Sequence, residues 1–524
     1  MKEDQARVQK GRNAIPFHPV LFAVAPILFV YAHNGARFPV DPGEMLVPIL
    51  LSLAVTAVLW AILGFLLRSA ARAALLVTCF LVLFFSYGHV AGAYEPSVYA
   101  SGGLLLCWAA LLGVGTWLVV QRPKRRARRS LFGFTVVLNS VAVGILAVNL
   151  LTGARAFANR PPPPERAAGR VEVAPGVDYP DIYYIITDSY LRSDVLKSRY
   201  QADNSKFLAE LRRLGFFVAD RAHSNYASTY PSLASSLNFT YLDSTARAAG
   251  TESDNAGPLI RMIQGNRLVD FLRRRGYTIV SFASGFTGTD LAGADIHLAP
   301  RWSLTEFQGI LVNTTLLRDV LILMHESPVV RHRDRLLYTL KNLPNAGLVR
   351  HPVFVFAHIL SPHRPFVFPV SVVKLGMTVH ALGYASQVAH ISGYLVGVVH
   401  QILAQSPRPP VIIIQGDHGL KEPINWRDSA FVELHQRHAI LYAAYLPPCL
   451  GHDASCTTPV ELYDSISPVN TFRVILSRYF DTTMALLPDR SYYSALNRPY
   501  HFYDIERPES YPVAAEPARS SEGP

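Results

Sequence analysis

Residues 411–419 read VIIIQGDHG. An unbroken apolar, β-branched run that stops at Gly416-Asp417-His418-Gly419 is the pattern of a strand buried on both faces, with polar residues delivered at its carboxyl end. The pattern recurs in IYYIIT (182–187), which ends at Thr187-Asp188, and in VFVFAHI (353–359), which carries His358 and continues SPHRPF to His363. YTIVSFA (277–283) and AILYAAYL (439–446) are further runs of this kind, and stretches of helical spacing near 203–215, 259–275, 310–324 and 381–404 separate several of them. Continuous apolar strands alternating with helices predict an α/β domain built on a mostly parallel central sheet. In such a domain ligands gather beyond the carboxyl ends of the strands.

Toward the N-terminus the character changes. The chain has 524 residues, 50% hydrophobic and only 17% charged, against about 25% charged in an ordinary soluble domain. The deficit lies in five apolar runs, 16–33, 45–67, 73–94, 101–120 and 131–151, each close to the ~20 residues that cross a bilayer as a helix. The net charge of +11 divides unevenly: residues 1–154 hold 13 Lys/Arg against 5 Asp/Glu, residues 155–524 hold 36 against 33. Twelve basic residues fall in the N-terminal segment and the second and fourth connections (Lys2 to Arg12, Arg68 and Arg72, Arg122 to Arg129), against Arg37 alone in the first and third. That asymmetry is a membrane-orientation signal, not a phosphate-backbone groove, and nucleic acid is not an expected partner. It predicts an integral plasma (inner) membrane protein, with the N-terminus cytoplasmic and everything beyond residue 155 extracytoplasmic or periplasmic. The expected organisation is a five-helix transmembrane domain at 1–154 and a Pro-rich linker at 155–179. An extracytoplasmic catalytic domain at 180–506 and a disordered tail at 507–524 complete it.

Cys449 and Cys456 bracket LGHDAS in the exported half. In an oxidising compartment a local disulfide is the expected reading; the alternative, a metal site using His452, lacks a fourth ligand nearby.

Asp188, His358, His363, Asp417 and His418 each have a bland explanation singly. Parallel strands, however, bring them to one rim, where two carboxylates and two or three imidazoles form an oxygen and nitrogen ligand set for a divalent cation. Manganese, zinc and magnesium all suit such a set. A further stretch, SNYASTYPSLASSLNFTYL (224–242), places Pro231 two residues after Thr229, the spacing of a helix start. A hydroxyl there sits in the positive field of the helix N-terminus and suits an alkoxide nucleophile; a plain threonine N-cap fits the spacing equally. Lys421 is either a contact to substrate oxygens or an ordinary surface lysine. RHRDR (331–335) reads as a solvated charge run.

In order, PDIYYIITDSY, TYPSLAS, AHILSPHRPF and IIIQGDHG resemble the sulfatase-like branch of the alkaline phosphatase superfamily over about 180–505. Pro231–Ser235 matches the sulfatase signature C-x-P-S-R-A-S, with Thr229 in the place of its Cys or Ser. The membrane-anchored arrangement is similar to lipoteichoic acid synthases and phosphoethanolamine transferases. The resemblance implies an alkaline-phosphatase-like fold in which Asp188, Thr229, Asp417 and His418 hold a divalent metal and Thr229 is the nucleophile. His363 and His358 would contact phosphoryl oxygens or protonate the leaving group. Threonine cannot mature to the formylglycine of sulfatases, and Ser189 stands where many relatives carry a second acid, leaving a second metal or calcium short of a ligand.

The expected activity is transfer of a phosphoryl-linked head group, phosphoglycerol or phosphoethanolamine, from a membrane phospholipid to an envelope lipid or glycan through a phospho-threonine intermediate. The alternatives are a hydrolase of phosphate or sulfate esters and an inactive membrane sensor or scaffold that retains the fold. Oligomeric state is not legible in the sequence.

Overall fold

The computed structural model describes residues 15–35, 38, 40–92, 98–121, 124–158, 179–301, 303–349, 351–371, 377–422, 424, 430–448, 461–480 and 482–508. Cys449 and Cys456, most of the Pro-rich linker and the C-terminal tail lie outside these residues. The chain divides into two compact units, one of residues 1–160 with 304–327, the other of 161–303 with 328–521. Residues 304–327, though flanked on both sides by the second unit, belong to the first.

The first unit contains helices α1 (His18–Gly35), α2 (Leu46–Leu67), α3 (Ala70–Ala91), α4 (Val98–Val120) and α5 (Lys124–Ala158). Of the five expected spans, four segments among the described residues are long and apolar enough to cross a membrane: Pro42–Leu67, Ala70–Ala91, Gly102–Val120 and Phe132–Arg155. The first run does form a helix, but an 18-residue one that carries His18, Pro26, His33 and Asn34. Its polar contacts point to neighbouring helices. The His18 amide donates to Asn139 Oδ1 (2.9 Å), and the His18 ring meets Thr78 Oγ1 at 2.6 Å. Around Pro26, which lacks an amide proton, Ser52 Oγ donates to the Ala23 carbonyl (2.8 Å) and Asn149 Nδ2 to the Ala25 carbonyl (2.9 Å). Ala23, Ile27, Val30 and Tyr31 of α1 pack with Val77, Leu81 and Phe85 of α3.

The second unit is built on a seven-stranded sheet: β1 (Ile182–Thr187), β2 (Phe217–Val218), β3 (Thr278–Phe282), β4 (Ile296–Leu298), β5 (Val353–Ile359), β6 (Val411–Gly416) and β7 (Tyr442–Tyr445), in the order β2-β7-β6-β1-β5-β3-β4. The five strands from β6 to β4 are parallel, whereas β7 and β2 are antiparallel additions at one edge. All residues of β1, β3, β5 and β6 are buried, as continuous apolar runs require when helices cover both faces. The short strands β2 and β4 carry too few residues to show a period. RHRDR is also not simply solvated: it lies in the helix Pro328–Asn342, where His332 and Arg335 are buried.

Register fixes the rim. Thr187 pairs with Ile359 on one side and Gly416 on the other, so Asp188 and Asp417 leave the sheet at the same level. The two glycines around Asp417-His418 permit the close packing there: a Cβ on Gly416 would lie 2.6 Å from the Tyr190 carbonyl oxygen, and one on Gly419 2.4 Å from that of Arg437. Gly416→Ala must therefore displace backbone, and a loss of about 1–3 kcal/mol in unfolding free energy is expected. Chemical denaturation of the purified protein checks this; an unchanged midpoint would show that the strand end tolerates a side chain.

Candidate functional site

Three strand ends and one helix start converge. Asp188 follows β1, His358 lies in β5, and Asp417-His418 follow β6. Thr229 is the first residue of the helix Thr229–Asn238, with extended Ser228 before it at the N-cap position and no side-chain capping bond. Thr229 is thus not the N-cap; its hydroxyl meets His418 Nε2 at 3.1 Å. Thr229 and Asp188 are each 3% exposed, Asp417 and His418 0%.

Asp188, Asp417 and His418 each present a ligand atom, all within 4.8 Å of one another, the arrangement of a metal-binding group. His418 Nε2 lies 3.4 Å from Asp417 Oδ2 and 3.7 Å from Asp188 Oδ1. His418 Nδ1 contacts the Gly419 carbonyl at 2.6 Å; because a carbonyl only accepts, the proton sits on Nδ1 and the Nε2 lone pair faces the carboxylates. His358 is turned the same way. Its Nδ1 contacts Thr289 Oγ1 (2.9 Å), and its Nε2 lies 3.8 Å from Asp188 Oδ2 and 3.9 Å from Asp417 Oδ2. Both His358 Nε2 and Asp417 Oδ2 are buried without a hydrogen-bond partner. Two unpartnered buried polar atoms 3.9 Å apart fit a cation between them.

The remaining oxygens are held. Asp417 Oδ1 accepts from the amides of Ser189 (3.0 Å) and His418 (2.8 Å), and Ser189 Oγ donates to Asp188 Oδ1 (2.9 Å). Ser189 has φ 63° and its own carbonyl accepts from Tyr384 Oη (2.7 Å). Ser232 Oγ donates to the Asp417 carbonyl at 2.6 Å. Ser189, Ser232, Thr289 and Tyr384 escaped sequence reasoning. In the sequence Ser189 is notable only for standing where an acid could be, and nothing in the spacing links Thr289 to His358 or Tyr384 to Ser189.

Electrostatics match a site that expects positive charge. Burial raises the Asp188 carboxyl, but His363, His418, His358 and Lys421 outweigh it and hold the group below its usual range. Burial, then the charge of Asp188, drives Asp417 well above its ordinary value. Desolvation lowers His358 to about 4 and takes His418 well below its ordinary value, so both rings are neutral and able to ligate. Lys421, partly buried, is lowered by desolvation against the pull of Asp188 and Asp417, which places its charge within reach of the pair.

His363 lies at the margin. It is half-buried, its amide donates to the Asp188 carbonyl (3.2 Å), and its Nδ1 meets the Arg364 carbonyl. The structure therefore brings Asp188, Thr229, His358, Asp417 and His418 together in the interior, with His363 and Lys421 around them.

No protein-family model and no curated protein matches the chain. Solved structures are similar to it. The zinc complex of the C-terminal periplasmic domain of EptC from Escherichia coli superimposes with a TM-score of 0.41 at 10% identity, covering 64% of this chain and 95% of that one. The integral membrane lipooligosaccharide phosphoethanolamine transferase A of Neisseria meningitidis gives 0.37 at 10%, over 88% and 95%. A 2-O glycosaminoglycan sulfatase, BT1596, gives 0.37 at 12%, over 60% and 78%.

If the carboxylate pair is completed by a cation, metal should stabilise the chain measurably. Zinc or manganese at 100 times its dissociation constant is expected to add about 2.7 kcal/mol, read as a rise in Tm. Asp417→Asn should abolish the rise, and Ser189→Ala, which removes a supporting hydrogen bond, should weaken metal affinity about 10–100-fold. Isothermal titration with each metal checks both.

Proposed function

We propose that the protein is a metal-dependent, membrane-anchored transferase that moves a phosphoryl-linked head group from a membrane phospholipid to a hydroxyl of an envelope lipid or glycan. The observation that carries the reading is Thr229 Oγ1 buried 3.1 Å from His418 Nε2, at a helix start and beside Asp188 and Asp417. A lone hydroxyl at pH 7 is a poor nucleophile. One placed among metal ligands and amide dipoles is activated.

Asp188, Thr229, Asp417 and His418 would hold the cation, which lowers the hydroxyl pKa and offsets phosphodiester charge. Thr229 Oγ1 gives up its proton to water and attacks phosphorus, the bond to the diacylglycerol oxygen breaks, and that oxygen takes a proton. His363, at the margin, is the donor in this reading. His358 is not, because its buried ring is neutral, with Nδ1 on Thr289 and Nε2 toward the carboxylates; we assign it a positioning role behind the cluster. In the second half an acceptor hydroxyl attacks the phospho-threonine, gives up its proton and releases the Thr229 oxygen. Water in place of the acceptor gives the hydrolase reading.

The membrane-anchored part of the proposal rests on the four long apolar segments and on the basic residues that flank alternate connections. Together they favour a cytoplasmic N-terminus and an extracytoplasmic site, where phospholipid head groups and envelope acceptors are both at hand. Transfer of phosphoethanolamine and of phosphoglycerol fit equally.

Intact-mass and peptide mass spectrometry of protein purified from membranes should find an adduct on Thr229 whose mass names the donated group. Thr229→Ala should lose the adduct and at least about 10³-fold of lipid turnover. Release of the head group to water without transfer to lipid or glycan would select the hydrolase. Absence of both adduct and bound metal would leave an inactive scaffold.

A further inference from the structure

Residues 304–327 leave the second unit and pack into the first. They form two short helices, Glu306–Asn313 and Leu317–Leu323, broken at Thr314–Leu316. Phe307 and Leu311 of the first short helix join the cluster of α1 and α3, and Thr305 Oγ1 donates to the Glu44 carboxylate. At the break, the Leu316 amide donates to the Phe84 carbonyl (3.0 Å) and the Gly88 amide to the Thr314 carbonyl (3.0 Å). The buried Tyr87 hydroxyl donates to the carboxylate of Asp319, which is itself 7% exposed. Such close approach requires glycine: a Cβ on Gly88 would lie 1.9 Å from the Asn313 carbonyl oxygen.

These contacts set a depth. Phe84 lies two turns before the end of α3 at Ala91, about 10 Å along the axis at 1.5 Å per residue. The break is thus bonded to the wall of a membrane-spanning helix, below its end. From there five large apolar side chains are exposed: Leu317, Val320, Ile322, Leu323 and Met324, the last two at 74% and 63%. The only charged residues in the same run, Arg318 and Asp319, lie 3.8 Å apart, with Asp319 turned to Tyr87. Exposed apolar groups are costly in water. At this depth on α3 they continue the apolar surface of the spans, which also expose Leu51, Phe65 and Val82.

We propose that residues 304–327 form a lipid-immersed hairpin, with Leu317–Met324 seated in the acyl region of the leaflet on the side of the α3 C-terminus. The occupant of this surface is phospholipid acyl chain, as for interfacial helices that sink ~5–10 Å below the head groups. The inference rests on reading the long apolar helices of the first unit as membrane spans. It makes the hairpin a second lipid contact of the chain, separate from the spans and reached from the catalytic half.

The test uses the full-length protein in lipid nanodiscs containing a phospholipid with a photoactivatable diazirine on its acyl chain, followed by peptide mapping. Adducts are expected within Leu317–Met324 and at the exposed span residue Leu111, and hydroxyl-radical labelling from water should modify Leu323 and Met324 far less than Phe431. In Gly88→Leu, which cannot admit the Asn313 carbonyl, the hairpin adducts should be lost while those at Leu111 persist. Adducts at Leu111 with none in the hairpin of the unaltered protein overturn the inference alone, whether radicals label it (water) or not (a covering protein surface). Absence of adducts at both places overturns the membrane reading itself.

Discussion

Two carboxylates, Asp188 and Asp417, leave neighbouring parallel strands at the same level and enter a space closed to water. Like charges in a low-dielectric interior repel strongly, and neither can be moved without altering the register of β1 on β6. Everything around them answers that constraint. Backbone amides of Ser189 and His418 take one oxygen of Asp417, the Ser189 hydroxyl takes one of Asp188, and two neutral imidazoles turn their Nε2 atoms inward. What the protein leaves open, Asp417 Oδ2 and His358 Nε2, is what a cation would close.

The position of Thr229 follows from the same constraint. Ser232, one turn into the helix that begins at Thr229, binds the Asp417 carbonyl, so the helix start is tied to the end of β6. Thr229 thereby reaches His418, and the positive end of the helix dipole lies at Thr229. His363 and Lys421 stand outside this buried set, each only partly buried.

In the first unit the constraint is different: backbone and polar side chains must find partners inside a bundle of apolar helices. The Ala23 and Ala25 carbonyls beside Pro26, and His18, find theirs on α2, α3 and α5, and Asp319 finds Tyr87. Polar pairs of this kind specify which helices touch, because an apolar surface alone would accept many neighbours.

Much of this was legible in the sequence. Strands as apolar as IYYIIT, VFVFAHI and VIIIQG have no water-exposed face to choose, so their existence and burial on both faces, and the positions of Asp188, His358, Asp417 and His418 at their ends, are legible in the sequence. Direction is not, since the equally apolar run at 439–446 forms antiparallel β7. Long uncharged runs likewise declare themselves as helices, although the first one, which carries His18, Pro26, His33 and Asn34, is not among the four described segments long and apolar enough to cross a membrane. What the tertiary structure alone decided was every relation between residues far apart in the chain. Thr289 beneath His358, Tyr384 on Ser189, the burial of Arg335 in an apparently solvated run, and the return of residues 304–327 to the helices are of this kind. Local pattern records which face of an element is apolar, but it carries no information about which distant backbone carbonyl will fill the notch left by a glycine such as Gly88.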